Sequence, residues 1–181
     1  MGDDLPFFLR PAYWSEKGMR DMKSVMMVLE VPGRCALGEV QSSREWVIPS
    51  CLTQIQPVVH EALAELGERT DLDAVELALH EALANAISHG NQESISKAVR
   101  LTLAQRNNGS MVLVVKDCGE GFDTNKVPDP LGDGLLKERG RGIFLMRQLV
   151  DWVDFVYDRG TEVRLWLTPP DTASKSACCS A

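Results

Sequence analysis

Glu81, Asn85 and His89 stand four residues apart in "HEALANAISHGNQ", a stretch otherwise built mostly from Ala, Leu and Ile. On a helix turning 100° per residue they fall within an arc of about 80°. Val75, Leu79, Ala82, Leu83 and Ala86 fill the adjoining arc and supply an apolar side. A polar edge of this kind can be a solvated stripe, a metal site or the ligand-facing side of a buried helix. The metal reading fails on spacing. His80 and Glu81 open like the zinc motif H-E-x-x-H, but its fifth position is Ala84. His80 points about 100° away from Glu81 and reads as a surface or boundary residue.

Three later runs could complete a ligand site. In "VVKDCGEGFD", Asp117 ends an apolar strand and Gly119 and Gly121 follow at alternate positions. A strand-end carboxylate can accept a hydrogen bond inside a pocket, and glycines let a flat ligand come close. In "LGDGLLKERGRGIFLMRQLV", Gly140 and Gly142 lead into a helix whose free N–H groups suit a phosphate, with Lys137, Arg139 and Arg141 adding positive charge. This run is not a P-loop, because no G-K-[ST] follows four spacer residues, and strand, G-x-G-x-x-G and helix do not occur in that order. In "GTEVRLWL", Thr161 sits between a turn and a strand, where its hydroxyl can reach a ligand or simply suit the strand. Taken singly, each run also reads as an ordinary turn or cap.

The elements that must position these residues are visible in outline. "REWVIP" reads as a strand stopped by proline, and "MKSVMMVLEV" as a strand or a short helix. Ser50 is placed to cap a helix over "LTQIQPVVHEALAELG", with Pro57 inside it as a kink or restart and Gly67 at its end. Thr70 or Asp71 can cap the helix "DLDAVELALHEALANAISHG", which Gly90 closes. "SKAVRLTLAQ" and "SMVLVVKD" flank the turn "RNNG" as a hairpin. "GRGIFLMRQLVDWV" reads as a helix, and "DFVYDRGTEVRLWL" as two strands across Asp158-Arg159-Gly160. Helix, helix, hairpin, helix, hairpin predicts an α+β fold: a two-layer α/β sandwich with helices on one face of a mixed, largely antiparallel sheet. Residues 1–35 read as an N-terminal extension, 36–168 as one domain and 169–181 as a flexible tail.

Composition narrows the function classes. The 181 residues are 44% hydrophobic, enough for a real core, and 19 Lys and Arg face 26 Asp and Glu for a net charge of -7. That balance argues against a phosphate-tracking nucleic-acid binder. No apolar run reaches membrane-span length and "MGDDLPFFLR" lacks the basic start of a signal peptide, so a cytoplasmic chain is expected. Cys35, Cys51, Cys118, Cys178 and Cys179 have no C-x-x-C spacing and read as thiols; the ending "CCSA" fits a prenylation box poorly.

The order of the motifs is more specific than any one of them. A helix with E-x-x-x-N-x-x-x-H, a strand ending D-x-G-x-G, a glycine-flanked lid running into a helix and a late G-T resemble the GHKL ATP-binding fold, also called the Bergerat fold, shared by gyrase, heat-shock chaperone ATPases, histidine kinases and MutL. "NAISHGN", "DCGEGFD", "VPDP" and "GRGIFLMRQLVDWVDF" resemble more closely the bacterial anti-sigma-factor serine-protein kinases of the RsbW and SpoIIAB type, over roughly residues 40–168. The resemblance implies that Glu81 assists catalysis, Asn85 coordinates Mg2+ and His89 borders the phosphates of ATP. It makes Asp117 the acceptor for the adenine amino group, with Gly119 and Gly121 shaping the base pocket. Lys137, Gly140, Arg141 and Gly142 then surround the phosphates and Thr161 helps hold the adenine end. It also implies a serine on a small anti-anti-sigma (STAS-type) protein as phosphoacceptor, a sigma factor as second partner and a homodimer. The alternative is a non-catalytic module that keeps the fold and holds a regulator. A sensor histidine kinase would need a phosphoaccepting histidine on a dimerising hairpin, and His60 lies only about twenty residues before the motif, which leaves no room for one.

Overall fold

The structure, a computed structural model, describes residues 27–30, 40–69, 71–119, 141–157 and 159–169. Six strands form one sheet: β1 (Met27–Glu30), β2 (Val40–Pro49), β3 (Ala98–Arg106), β4 (Met111–Lys116), β5 (Trp152–Tyr157) and β6 (Thr161–Leu167), in the order β1-β2-β3-β4-β6-β5. All five pairings are antiparallel. The ambiguous "MKSVMMVLEV" therefore contributes an edge strand, and the sheet starts inside the first 35 residues.

Among the described residues, three α-helices cover one face: α1 (Ile55–Leu66), α2 (Leu72–Asn85) and α3 (Arg141–Leu149). Helix α1 buries Ile55, Val58, Val59, Ala62 and Leu66, and α2 buries Val75, Ala78, Leu79, Ala82 and Leu83, the spacing of one apolar stripe on each. They meet Trp46, Ile48, Leu101, Leu113, Val115, Val163 and Leu165 from the sheet. Full burial of a side chain such as Leu79 stabilises the fold by about 1.5–3 kcal/mol. On the opposite face, Ala104, Val112 and Val114 form a smaller cluster with Val40 and Trp166, and Arg106 stacks 5.6 Å above the Trp166 ring. Among the described residues no helix is long and apolar enough to cross a membrane.

Several helix-end expectations need correction. Ser50 does not cap: a 3-10 turn over Leu52–Gln54 intervenes and α1 starts after Gln54. Pro57 is the third residue of α1, in the first turn, where its missing N–H removes no α-helical bond. Asp71 does hold the N-cap position of α2, yet its side chain makes no capping bond. Both its oxygens accept from the Arg69 guanidinium at 2.8 Å, because a bidentate ion pair outcompetes a neutral backbone donor. Arg69 also donates to the Thr168 carbonyl (2.9 Å) and so ties this loop to the end of β6. Thr70 lies outside the described residues, as do Cys35, Cys178 and Cys179. Cys51 and Cys118 are free thiols.

Candidate functional site at the end of the central helix

Helix α2 does not stop at a simple glycine cap. Its last turn widens into a π turn over Ala86–Gly90, closed by the Asn91 N–H donating to the Ala86 carbonyl at 2.8 Å. Asn85 lines a cavity, whereas His89 is exposed and absent from its wall.

That cavity lies between the helical layer and the sheet. Asn85, Ala86, Ile143 and Met146 supply the helical side, and Val115, Asp117, Phe155, Thr161 and Val163 the strand side. Asp117 is 3% exposed. Its Oδ1 accepts from the N–H groups of Gly119 (2.8 Å) and Thr161 (3.0 Å), while its own N–H donates to the Thr161 carbonyl (3.0 Å). The second oxygen, Oδ2, accepts no hydrogen bond among the described residues and lies against Gly90. Thr161 is 2% exposed, and its Oγ1 is buried without a hydrogen-bond partner. A native hydroxyl left in that state calls for an explanation, and a bound ligand supplies one.

Glycines make the convergence possible. A Cβ on Gly90 would collide with the Asp117 carboxylate, and one on Gly119 with the Gly90 carbonyl. Gly160, at φ +122°, lets the β5–β6 turn close onto the Asp117 backbone. At the other end, a Cβ on Gly142 would stand 2.6 Å from Oε2 of Glu81 and 3.1 Å from Nδ2 of Asn85. The start of α3 therefore rests directly on Glu81 and Asn85. Gly121, Lys137 and Gly140 lie outside the described residues, and Arg141 is placed only as the first residue of α3. His80 bonds Gln56 (3.1 Å) and His60 is exposed, both away from this cavity.

Some of the site was not anticipated from sequence. Gly90 read as a helix stop, and Asn91, although it ends the run "NAISHGN", was given no role of its own. Ile143, Met146 and Phe155 were not singled out, because apolar pattern does not separate a pocket wall from a core.

An apolar slot with one buried carboxylate and one unpartnered hydroxyl lies between a helical layer and an antiparallel sheet, in an α+β two-layer fold consistent with the Bergerat ATPase fold. The sequence profile of the histidine kinase-like ATPase domain matches residues 48–167, and the chain belongs to that family. It is a GHKL-type ATP-binding module related to histidine and serine kinases. The serine-protein kinase RsbW of Halalkalibacterium halodurans is 31% identical over 97 residues, 50% of this chain and 58% of that protein, so less than two thirds of the relative is spanned. The histidine kinase domain of the Erythrobacter litoralis EL346 blue-light activated histidine kinase superposes with a TM-score of 0.44 at 18% identity, covering 66% of this chain and 61% of that one. The longer structure of the same kinase gives 0.44 and 18%, over 66% of this chain and 42% of its own.

Proposed function

We propose that this protein is an ATP-dependent serine-protein kinase that also acts as an anti-sigma factor. It transfers the γ-phosphate of Mg-ATP to a serine of a small anti-anti-sigma partner and sequesters a sigma factor. The observation that carries this reading is the contact between the two halves of the site. Gly142, at the start of α3, sits on Glu81 and Asn85, and the same helix reaches the Asp117 cavity through Ile143 and Met146. A nucleotide with its base against Asp117 then has its phosphates toward Asn85, Glu81 and the start of α3.

The residues present fit that ligand. Val115, Ile143, Met146, Phe155 and Val163 give an apolar slot for a flat base. Asp117 Oδ2 accepts the exocyclic amino group, and Thr161 Oγ1 gains the partner it lacks. His89, Gly121, Lys137, Gly140 and Arg141 belong to the phosphate and lid side of the same proposal. The Asn85 amide oxygen suits Mg2+, which when bound offsets the charge of the phosphates. Glu81, one helical turn from Asn85, takes the proton of the incoming serine hydroxyl as the serine oxygen bonds to the γ-phosphorus and the bond to the β–γ bridging oxygen breaks, releasing ADP. Residues 36–168, with the edge strand that 1–35 adds to their sheet, carry this work in the cytoplasm as a homodimer, and 169–181 form a tail.

The test is label transfer from γ-labelled ATP with Mg2+ to purified anti-anti-sigma proteins, wild type against Glu81→Ala. Serine labelling that disappears in Glu81→Ala is expected. ATP binding without labelling of any cognate partner would replace the kinase by a non-catalytic module that holds a regulator. Calorimetry on Asp117→Asn tests the base pocket separately; a loss of about 1–3 kcal/mol, roughly ten- to a hundredfold in affinity, is expected.

A further inference from the structure

Asn91 is completely buried where the π turn hands over to the following loop. Its side chain joins three chain segments. Nδ2 donates to Ser50 Oγ (2.7 Å) and to the Ala98 carbonyl (3.0 Å), while Oδ1 accepts from the Cys118 N–H (2.8 Å). Both amide hydrogens are used, so the orientation of the amide group is set by its partners. Ser50 is itself 1% exposed and donates to the Lys97 carbonyl (2.9 Å), which anchors the far side of the clamp. The backbone is held as firmly. The Glu93 N–H donates to the Ile87 carbonyl (2.8 Å), and Gln92 and Glu93 follow at φ +57° and +54°. Left-handed backbone at two successive L residues persists only where the surroundings impose it.

The position of this clamp suggests more than packing. Cys118 follows Asp117 directly, and Gly90, which abuts Asp117 Oδ2, precedes Asn91 directly. Among the described residues, the Cys118–Asn91 bond is the one side-chain hydrogen bond from the helix end to the strand end that carries Asp117. We propose that Asn91 is the positioning residue for the base-reading carboxylate: it fixes the strand end against the π turn, so that Asp117 Oδ2 faces the 6-position of a purine. This rests on the assignment of Asp117 as the adenine acceptor.

Calorimetric dissociation constants of the full chain for ATP and for inosine triphosphate separate positioning from simple structural support. Inosine triphosphate places a carbonyl where ATP has an amino group, so a correctly held carboxylate rejects it by about tenfold or more. Asn91→Ala, shown folded by circular dichroism, is expected to bring the two constants to within about threefold of each other. Ser50→Ala removes only the far partner and should lower the melting temperature while keeping the wild-type ratio. Should Asn91→Ala not fold, Asn91→Ser, whose shorter side chain cannot span to Cys118, reads the same ratio. A folded Asn91 variant that keeps the wild-type ratio overturns the positioning role alone. Wild-type protein that binds both nucleotides equally overturns the Asp117 assignment and the inference with it.

Discussion

Gly142→Ala separates the proposed chemistry from the stability of the fold. The new Cβ would stand 2.6 Å from Oε2 of Glu81, which must retreat by about 0.8 Å to reach ordinary contact at 3.4 Å. The obstacle is the end of a flexible side chain rather than backbone, and Glu81 is partly exposed, so it can move. Forcing it off its preferred rotamer costs about 0.5–1.5 kcal/mol. Replacing glycine by alanine in a helix returns up to about 1 kcal/mol. The two nearly cancel, and the melting temperature should change by only a few degrees. Catalysis is far less tolerant, because displacing a proton acceptor by about 1 Å costs on the order of a hundredfold in rate. Differential scanning fluorimetry and initial rates of label transfer from γ-labelled ATP, measured on the same preparation, read both quantities. A folded variant that transfers phosphate at the wild-type rate would refute Glu81 as the base at this position.

Thr161→Val keeps the shape of a buried side chain and removes its unpartnered hydroxyl. The ligand-free protein should gain up to about 1 kcal/mol in denaturant unfolding, while ATP affinity falls roughly tenfold. The Arg69 guanidinium, hydrogen-bonded to Asp71, holds that carboxyl below its ordinary value of 3.8. The pair's contribution is therefore complete above that ordinary value and is lost as pH falls through the depressed one. Melting curves from pH 6 down to pH 3 should show the wild-type advantage over Asp71→Asn shrinking with acid, and a constant gap would contradict the pairing. Leu79→Ala opens a cavity between α2 and the rest of the core, where Leu79 is 0% exposed, and should cost about 2–5 kcal/mol in urea unfolding.

What the sequence made legible follows the range of the forces involved. Helix α2 was readable because its apolar stripe and the glycine beyond it are local signals, and the β3–β4 hairpin because "RNNG" interrupts two apolar runs. Asp117 could be singled out because a carboxylate at the end of an apolar strand is unusual. The π turn was not readable: "NAISHG" keeps a helical rhythm, and the extra residue is stabilised by bonds that Asn91 and Glu93 form on the folded structure. Ser50 and Asp71 have the residue types of caps, but each is taken by a stronger partner, Asn91 and Lys97 for the first and Arg69 for the second.

The cavity draws its walls from both layers, and this sets how the site depends on the core. Asp117, just past the end of β4, and Thr161 on β6 are tied by two hydrogen bonds, one between their backbones and one from the Thr161 N–H to the Asp117 carboxylate, and form a rigid pair at that end of the sheet. Asn85, Ile143 and Met146 belong to the helical layer, and the described residues hold that layer on the sheet chiefly by core packing. Packing is non-directional, so the distance between the walls rests on side chains such as Leu79, Leu83 and Ile87 filling the space between helices and sheet. The hydrogen-bonded bridge from the end of α2 to the strand end passes through Asn91, at the Asp117 side of the cavity. Loosening the core should therefore shift the proposed phosphate end, near Asn85 and Glu81, before it disturbs the proposed base end at Asp117.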